Sequence, residues 1–181
     1  MSTLVEELTQ RAEKESKVRA VLKRSLAFDP GAYPSAFPYV EHRLKNEDGE
    51  WKRKVYYLVA GLWAMHWRDR GVTVPIPIEK AAALCDFEKR RKFKLDRRKL
   101  TSTESRFIAL IDSDSEQLPY RLRQMVALLK EYEIDFNKLS KDLLSWNDPD
   151  KFVQIRWARE FYNQAAGENN ETEPVNEEKT Q

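Results

Sequence analysis

The sequence predicts an all-α protein, built as two small helical bundles packed together and followed by a disordered acidic C-terminal tail. Apolar residues recur along most of the 181 residues at a spacing of about 3.6, the period of a helix with one buried face. The chain has only five glycines, which disfavours a turn-rich β architecture. Hydrophobic residues make up 41% of it, which is enough to fill a core at this length.

Two helices are expected before residue 50. The first runs from Thr3 to Leu26 and ends before a segment with three prolines and a glycine, which cannot continue a helix. The second is a short helix from Ser35 to Lys45, where Pro38 is tolerated in the first turn.

The next helix, Trp51 to Trp67, is apolar around most of its circumference, which predicts a central position. Gly61 inside it costs helix propensity and therefore indicates close approach of a neighbouring helix. Pro75 and Pro77 each lack a backbone donor, so the Val/Ile alternation around them is interpreted as an extended loop rather than a strand. A further helix begins at Ile78 and leads into a basic run.

Four helices with short joints are predicted in the second half, each by its own start signal, and they form an antiparallel bundle. Thr101 and Glu104 make a capping box, in which each side chain bonds the other's backbone amide. Pro119 suits the first turn of the second helix, and Asp135 can cap the third. The last helix starts at Asp148-Pro149.

The inward face of that last helix is predicted to carry Phe152, Ile155 and Tyr162. The predicted domains are residues 1–98 and the four-helix bundle 99–166, with the disordered acidic tail at 167–181.

Charge is divided unevenly along the chain. The net charge is +2, but the tail has five Glu against one Lys, a charge of −4, which leaves +6 on the preceding residues. A basic body points to anionic partners such as nucleic acid. No apolar stretch reaches the roughly 18 residues of a membrane span, and the N-terminus lacks the pattern of a secretion signal. One cysteine fits a reducing cytoplasm.

Signals for catalysis are weak, and neither an enzyme nor a cofactor is expected. His42 and His66 have no metal-ligand spacing to each other, and Cys85 lies in a helical pattern where a small buried hydrophobe is expected. The string Asp112, Asp114 and Glu116 could hold a hard cation, as a metal-dependent nuclease requires, but it lacks the Gly and Glu of a calcium loop. A polar linker whose acids favour the next helix N-terminus is the preferred interpretation.

The strongest chemical signal is positive charge. Eight cations lie between Lys89 and Lys99, where they could line a phosphate track or form a solvated loop or helix face. Other cations recur at helical spacing and could instead pair with acids at i±4. The candidate nucleic-acid contacts are Lys23, Arg24, Arg53, Lys54, Lys89, Arg90, Arg91, Arg97, Arg98, Arg106, Arg121, Arg123, Arg156 and Arg159.

Five stretches carry an ordered series of motifs: LKRSLAFDPGAYPSAFPYVEHRL at 22–44, VYYLVAGLWAMH at 55–66, SRFIALIDSDSEQLPYRLRQMVALLK at 105–130, IDFNKLSKDLLSWND at 134–148 and QIRWAREFY at 154–162. In this order they closely resemble the CasB family, the small subunit of the type I-E CRISPR surveillance complex called Cascade, over most of residues 15–163. Two features depart from the family pattern. Ser105 stands where a charged residue is usual, and the basic run is richer than expected.

The resemblance implies an all-helical, non-catalytic subunit in antiviral defence. Its partners would be the backbone and large subunits of Cascade with their CRISPR RNA. Two copies would lie side by side against the backbone subunits that hold the CRISPR RNA, and would give the displaced single-stranded target DNA a basic path that stabilises the R-loop. A purely structural scaffold is the alternative, since Arg is also enriched in protein interfaces; for Arg106, an interface contact or a salt bridge within the bundle is nearly as well supported. The cations that match the family's basic positions best are Lys23, Arg24, Arg106, Arg121, Arg123 and Arg156.

Overall fold

A computed structural model describes residues 2–67, 74–96 and 98–167, with side chains as far as 163. Within these ranges the chain forms α-helices and short 3₁₀ turns without a β-strand, so the all-α prediction is confirmed. The predicted tail lies outside the described residues, apart from Gly167 at the end of the last helix. The α-helices are α1 Leu4–Lys14, α2 Lys17–Ser25, α3 Phe37–Val40, α4 Glu50–His66, α5 Ile78–Phe93, α6 Ser102–Ile111, α7 Leu118–Leu128, α8 Phe136–Leu144 and α9 Phe152–Gly167.

Helix α4 lies at the centre of the protein, as its apolar composition predicts. It packs against α1, α2, α7 and α8, while α5 packs along α9. Buried side chains from both halves of the chain form a single hydrophobic cluster. In the second half, the rings of Phe107 and Phe161 stack with centroids 4.3 Å apart. Trp157, four residues before Phe161 on α9, is fully buried. The domain boundary at residue 98 stays a prediction. Among the described residues, no helix is both long and apolar enough to cross a bilayer.

The continuous first helix predicted from Thr3 to Leu26 is wrong, because the chain divides it into α1 and α2. Glu15 has extended backbone angles, φ −136° and ψ 102°, and α2 begins two residues later. A straight helix of this length would be about 36 Å long. The break lets Leu8 of α1 and Leu22 of α2 both become completely buried, and both helices pack against α4.

The short helix expected from Ser35 to Lys45 is only partly helical. The chain makes a 3₁₀ turn at Pro34–Ala36, the single turn of α3, and another 3₁₀ turn at Glu41–Arg43. Prolines at 34 and 38 remove backbone donors and keep the regular helix short.

The predicted inward face of the last helix is also wrong. Phe152, Ile155 and Tyr162 are each about half exposed, at 46%, 45% and 45%. The residues of α9 that enter the core are Val153, Trp157 and Phe161, spaced four apart along one helix face. The prediction therefore chose the neighbouring face of the same helix.

Three of the four start signals are confirmed. The start at Asp148-Pro149 is wrong, because Asp148 closes a turn with the Asp150 amide at 3.0 Å, Lys151 has φ 49°, and α9 begins at Phe152. The Thr101 hydroxyl accepts from the Glu104 amide at 3.0 Å, and Asp135 accepts from the Lys138 amide at 2.8 Å. The reciprocal half of the Thr101 capping box is wrong, because the Glu104 carboxylate turns instead to Arg90 and to the Tyr162 hydroxyl.

The close approach at Gly61 is confirmed as well. A β-carbon at this position would lie 2.7 Å from Cδ2 of Leu26 and 3.2 Å from the carbonyl oxygen of Leu22. Helices α2 and α4 therefore meet at a distance that only glycine permits without displacing a neighbour.

The connection before α5 is fastened to the joint between α7 and α8. The Ile76 amide donates to the Glu133 carbonyl, and the Asp135 amide donates to the Ile76 carbonyl, both at 2.9 Å. These bonds make a parallel bridge between Ile76 and Ile134. At the end of α4, His66 Nε2 donates to the Tyr132 carbonyl at 2.7 Å. The chain is thus held against residues 132–135 on both sides of the segment that links α4 to α5.

Candidate nucleic-acid interface

The basic run at the end of α5 divides into a fixed part and an exposed part. Arg90 Nε donates to Asp86 at 2.7 Å, and a second guanidinium nitrogen pairs with Glu104. Arg90 also donates to the carbonyls of Asp96 and Lys99, at 3.4 and 3.2 Å. This arginine therefore joins α5 to α6 and holds the loop between them.

Other members of the run have different surroundings. Lys89 Nζ donates to the Thr103 hydroxyl at 2.8 Å, so it also faces α6. Lys94 ends α5 in the left-handed region, with φ 48°. Arg91 and Arg98 are exposed, and Arg97 lies outside the described residues. The exposed members of the run are the ones that could meet a polyanion.

Arg156 belongs to a polar cluster between α5, α8 and α9. Its guanidinium lies 2.5 Å from Oδ1 of the buried Asp142, whose other oxygen accepts from Trp157 Nε1 at 2.9 Å and from Lys138 Nζ at 3.0 Å. Lys138 also lies 3.7 Å from the buried carboxylate of Glu79. Burial raises the pKa of Glu79 above its usual value.

Arg53 and Lys54 on α4 differ in how firmly they are held. Arg53 pairs with Glu41, which also accepts from the Tyr57 hydroxyl at 2.6 Å. The hydrogen bond from Arg53 lowers the pKa of Glu41, and burial raises the pKa of Tyr57. Lys54 is exposed and pairs with the exposed Glu50 at 2.8 Å, an i,i+4 contact that a phosphate could readily replace.

Cations lie on both helices where the end of α2 contacts α7, and all of them except the half-buried Arg121 are exposed. Arg123 donates to the carbonyl of Leu26, the residue that follows α2, at 3.1 Å. Lys23 and Arg24 are exposed in the last turn of α2. The Arg121 guanidinium carbon lies 5.7 Å from the ring centroid of Tyr120. We call these four cations, Lys23, Arg24, Arg121 and Arg123, the α2–α7 surface.

Rigid helices carry these four side chains, although they are about 100 residues apart in the sequence. A guanidinium has five N–H donors, so Arg123 retains donors beyond the one it gives to Leu26. Arg106 on α6 and Arg159 on α9 are also exposed. Within the α2–α7 surface, the described contact joins Arg123 to the end of α2.

Two aromatic residues beside this surface were missed by the sequence analysis. Phe28 is 46% exposed and Tyr120 is 60% exposed, and both line a groove of about 270 Å³ with Arg123. The available signal was an aromatic residue placed next to basic residues at a helix boundary, in KRSLAF and in PYRLR. From the hydrophobic pattern alone, such residues are predicted to lie in the core.

The acidic string before α7 has a structural role. Oδ1 of Asp114 accepts from the backbone amides of Glu116 and Gln117, at 3.0 and 2.8 Å, and so closes the turn that leads into α7. In the described ranges, no group of three or more His, Cys, Asp or Glu side chains is placed to hold a metal ion. Cys85 is buried, as the sequence predicts.

Comparison with known proteins gives one consistent result. A family model described as CRISPR-associated protein Cse2 matches residues 18–162. The curated CRISPR-associated protein Cse2 of Thermus thermophilus is 42% identical over 160 residues, which are 87% of this chain and 85% of that protein.

Solved structures agree with the sequence match. The crystal structure of CasB from Thermus thermophilus is 39% identical, with a TM-score of 0.73 over 88% of this chain and 96% of that one. A chain from a structure described as a CRISPR RNA-guided surveillance complex has a TM-score of 0.69 over 94% and 95% of the two chains. At 20% identity, that likeness shows a shared fold.

Proposed function

The chain belongs to the Cse2 family of CRISPR-associated proteins, the CasB family of type I-E Cascade, and on this premise we propose that it is a non-catalytic Cascade subunit that holds displaced single-stranded target DNA. It binds the sugar-phosphate backbone without sequence preference and thereby stabilises the R-loop. The observation that carries the proposal is the contact of Arg123 with Leu26, which places an exposed cation of α7 against the end of α2, where Lys23 and Arg24 are exposed as well.

The energetics of R-loop formation suit such a role. Exchanging a DNA duplex for an RNA–DNA hybrid is nearly balanced in free energy, so modest contacts to the displaced strand can tip the equilibrium. Such contacts need positive charge on a rigid support and no reading of base edges. The exposed members of the predicted set meet this need, whereas Arg53, Arg90 and Arg156 already have intramolecular acidic partners.

The proposed partners follow from family membership. They are the backbone and large subunits of Cascade with their CRISPR RNA, a second copy of this chain beside the first, and the displaced strand, all in the cytoplasm. A protein of the same fold belongs to a structure described as a CRISPR RNA-guided surveillance complex, which supports this assembly.

The test combines salt titration with R-loop lifetimes. The wild-type chain should bind unrelated single strands equally, with a log–log salt slope of roughly −0.7 per phosphate contact. In the double variant Arg121→Ala/Arg123→Ala the slope should shrink by up to about 1.4. In reconstituted Cascade, R-loops should dissociate faster while CRISPR RNA loading is intact.

A matched control is Lys130→Ala/Lys141→Ala, which removes the same charge from exposed positions outside the predicted set. If the arginine pair and the lysine pair have the same slopes and R-loop lifetimes, Arg121 and Arg123 have no part in strand retention.

A second candidate function is a structural scaffold whose exposed residues contact other subunits. Exposed apolar side chains on α8 and α9 favour the scaffold, because another subunit could cover them. Leu144, Phe152 and Ile155 are 37%, 46% and 45% exposed. Under this alternative, neutralising the basic residues disrupts assembly before it affects DNA retention. Native mass measurement of the mixed subunits distinguishes the two.

A further inference from the structure

We propose that the groove between the end of α2 and the start of α7 is a stacking site for the bases of a single strand. This inference rests on the proposed function and adds to it, because contacts to phosphates alone leave the bases unbound. The groove is lined by residues 25–30, by two residues of α4, and by the start of α7 with the residue string before it: Tyr57, Leu58, Glu116, Pro119, Tyr120 and Arg123. Its volume is about 270 Å³.

Two aromatic rings of this groove, those of Phe28 and Tyr120, are exposed and fixed in place. Phe28 stacks on Tyr33 with centroids 4.8 Å apart and planes 11° apart. Tyr120 lies in the first turn of α7, and its hydroxyl accepts from Gln124 Nε2 at 2.8 Å. Because both rings are already ordered, a base that stacks on them loses little to side-chain ordering.

The groove continues past α4 into a second lobe of about 360 Å³. The two lobes share Asp29, Pro30, Leu58, Glu116 and Pro119. At the far end lie another aromatic residue, Trp51, and a cation, Lys54. The Trp51 ring is fixed by its indole N–H, which donates to the Leu143 carbonyl at 2.9 Å.

Charge determines which part of a strand enters the groove. Asp29 and Glu116 line both lobes, and their carboxylates repel phosphate. Cations lie at the two ends instead, with Arg123 at one and Lys54 at the other. Phosphates therefore belong at the ends and rim, and uncharged bases inside, where the carboxylates can accept hydrogen bonds from exocyclic amino groups.

This arrangement matches the general design of single-strand binding sites, which combine a cationic path with aromatic platforms. Stacking on a protein ring has no strong sequence preference because every base has a π face. The inference is thus compatible with binding that ignores sequence, and it makes a distinct prediction: strands without bases should bind more weakly than strands with them.

The experiment compares two oligonucleotides of equal length and phosphate number, one of mixed sequence and one with abasic sites. The wild-type chain should prefer the base-bearing strand by about 5- to 150-fold per stacked base, which corresponds to about 1–3 kcal/mol. The variant Phe28→Ala/Tyr120→Ala should lose this preference and keep its affinity for the abasic strand. Tyr120→Phe keeps the ring and should keep the preference.

Phe152→Ala is the matched control, because it removes an equally exposed ring from α9 and should change neither affinity. A direct readout uses the wild-type chain alone: a 2-aminopurine strand should change its fluorescence on binding as the base stacks. Equal wild-type affinity for both strands, without a fluorescence change, overturns the stacking site and leaves the charge-based function standing. Failure to bind either strand overturns the proposed function itself.

Discussion

Replacing Arg156 with alanine tests whether this predicted DNA contact supports the fold. Its guanidinium lies 2.5 Å from the buried Asp142 carboxylate. The contact joins two charges without the alignment of a hydrogen bond, and the Arg156 side chain is 40% exposed. Asp142 would keep Trp157 and Lys138 as donors, so the loss is smaller than the roughly 3–5 kcal/mol of an orphaned buried charge.

We expect the substitution to lower the free energy of unfolding by about 1–2 kcal/mol, between the value of a surface ion pair and that of a charge-assisted hydrogen bond. With a urea m-value of about 2 kcal/mol/M, the midpoint falls by about 0.5–1 M. Urea unfolding followed by tryptophan fluorescence measures this shift.

The control for this experiment is Arg159→Ala, one turn further along α9 and exposed, which should leave the midpoint unchanged. Equal midpoints for the two variants, together with weaker DNA binding by Arg156→Ala, would refute the structural role argued for Arg156.

Two further predictions concern the core and pH. Gly61→Val places a branched side chain against Leu26 and should lower Tm by several degrees, since overpacking costs about 1–3 kcal/mol and each kcal/mol is worth about 2–4 °C. The control is Gly49→Ala, whose added β-carbon has nothing within 4 Å. Equal Tm values for the two variants would contradict the close approach at Gly61. Glu79 has a raised pKa because burial disfavours its charge. The folded state therefore holds a proton that the unfolded state releases. As a result, the free energy of unfolding falls as pH rises from about 4.5 through the folded pKa. Glu79→Gln should therefore gain stability over wild type across that window in urea titrations at successive pH values; a constant difference would contradict burial as the cause.

The sequence alone predicts the helices well because local signals specify them. The central position of α4 follows from its all-round apolar surface, and the starts of α6 and α8 follow from caps at Thr101 and Asp135. The break at Glu15 could not be predicted, because no proline or glycine marks it and the packing of α1 and α2 against α4 involves residues far along the chain. The face of α9 was missed because apolar residues lie on two adjacent faces, and only packing against Phe107 selects Phe161.

The candidate site is predictable to a smaller extent. Charge identifies the arginines, but which ones are exposed depends on partners far away in the chain, such as Asp142 for Arg156. Arg123 and Leu26 are 97 residues apart, so no local pattern could place them together. Phe28 and Tyr120 resemble core residues in sequence, and only the folded structure shows that both side chains are exposed.

The paired anchoring around residues 132–135 makes the α4–α5 link a suitable place to lengthen the chain. Because His66 and Ile76 are both fastened to that joint, extra residues between them would alter neither anchor. An inserted flexible segment costs little, because each doubling of its length adds only about 0.6 kcal/mol of closure entropy. A peptide tag or fluorophore-bearing insert between residues 67 and 74 should therefore leave the native packing intact and report on the assembled particle.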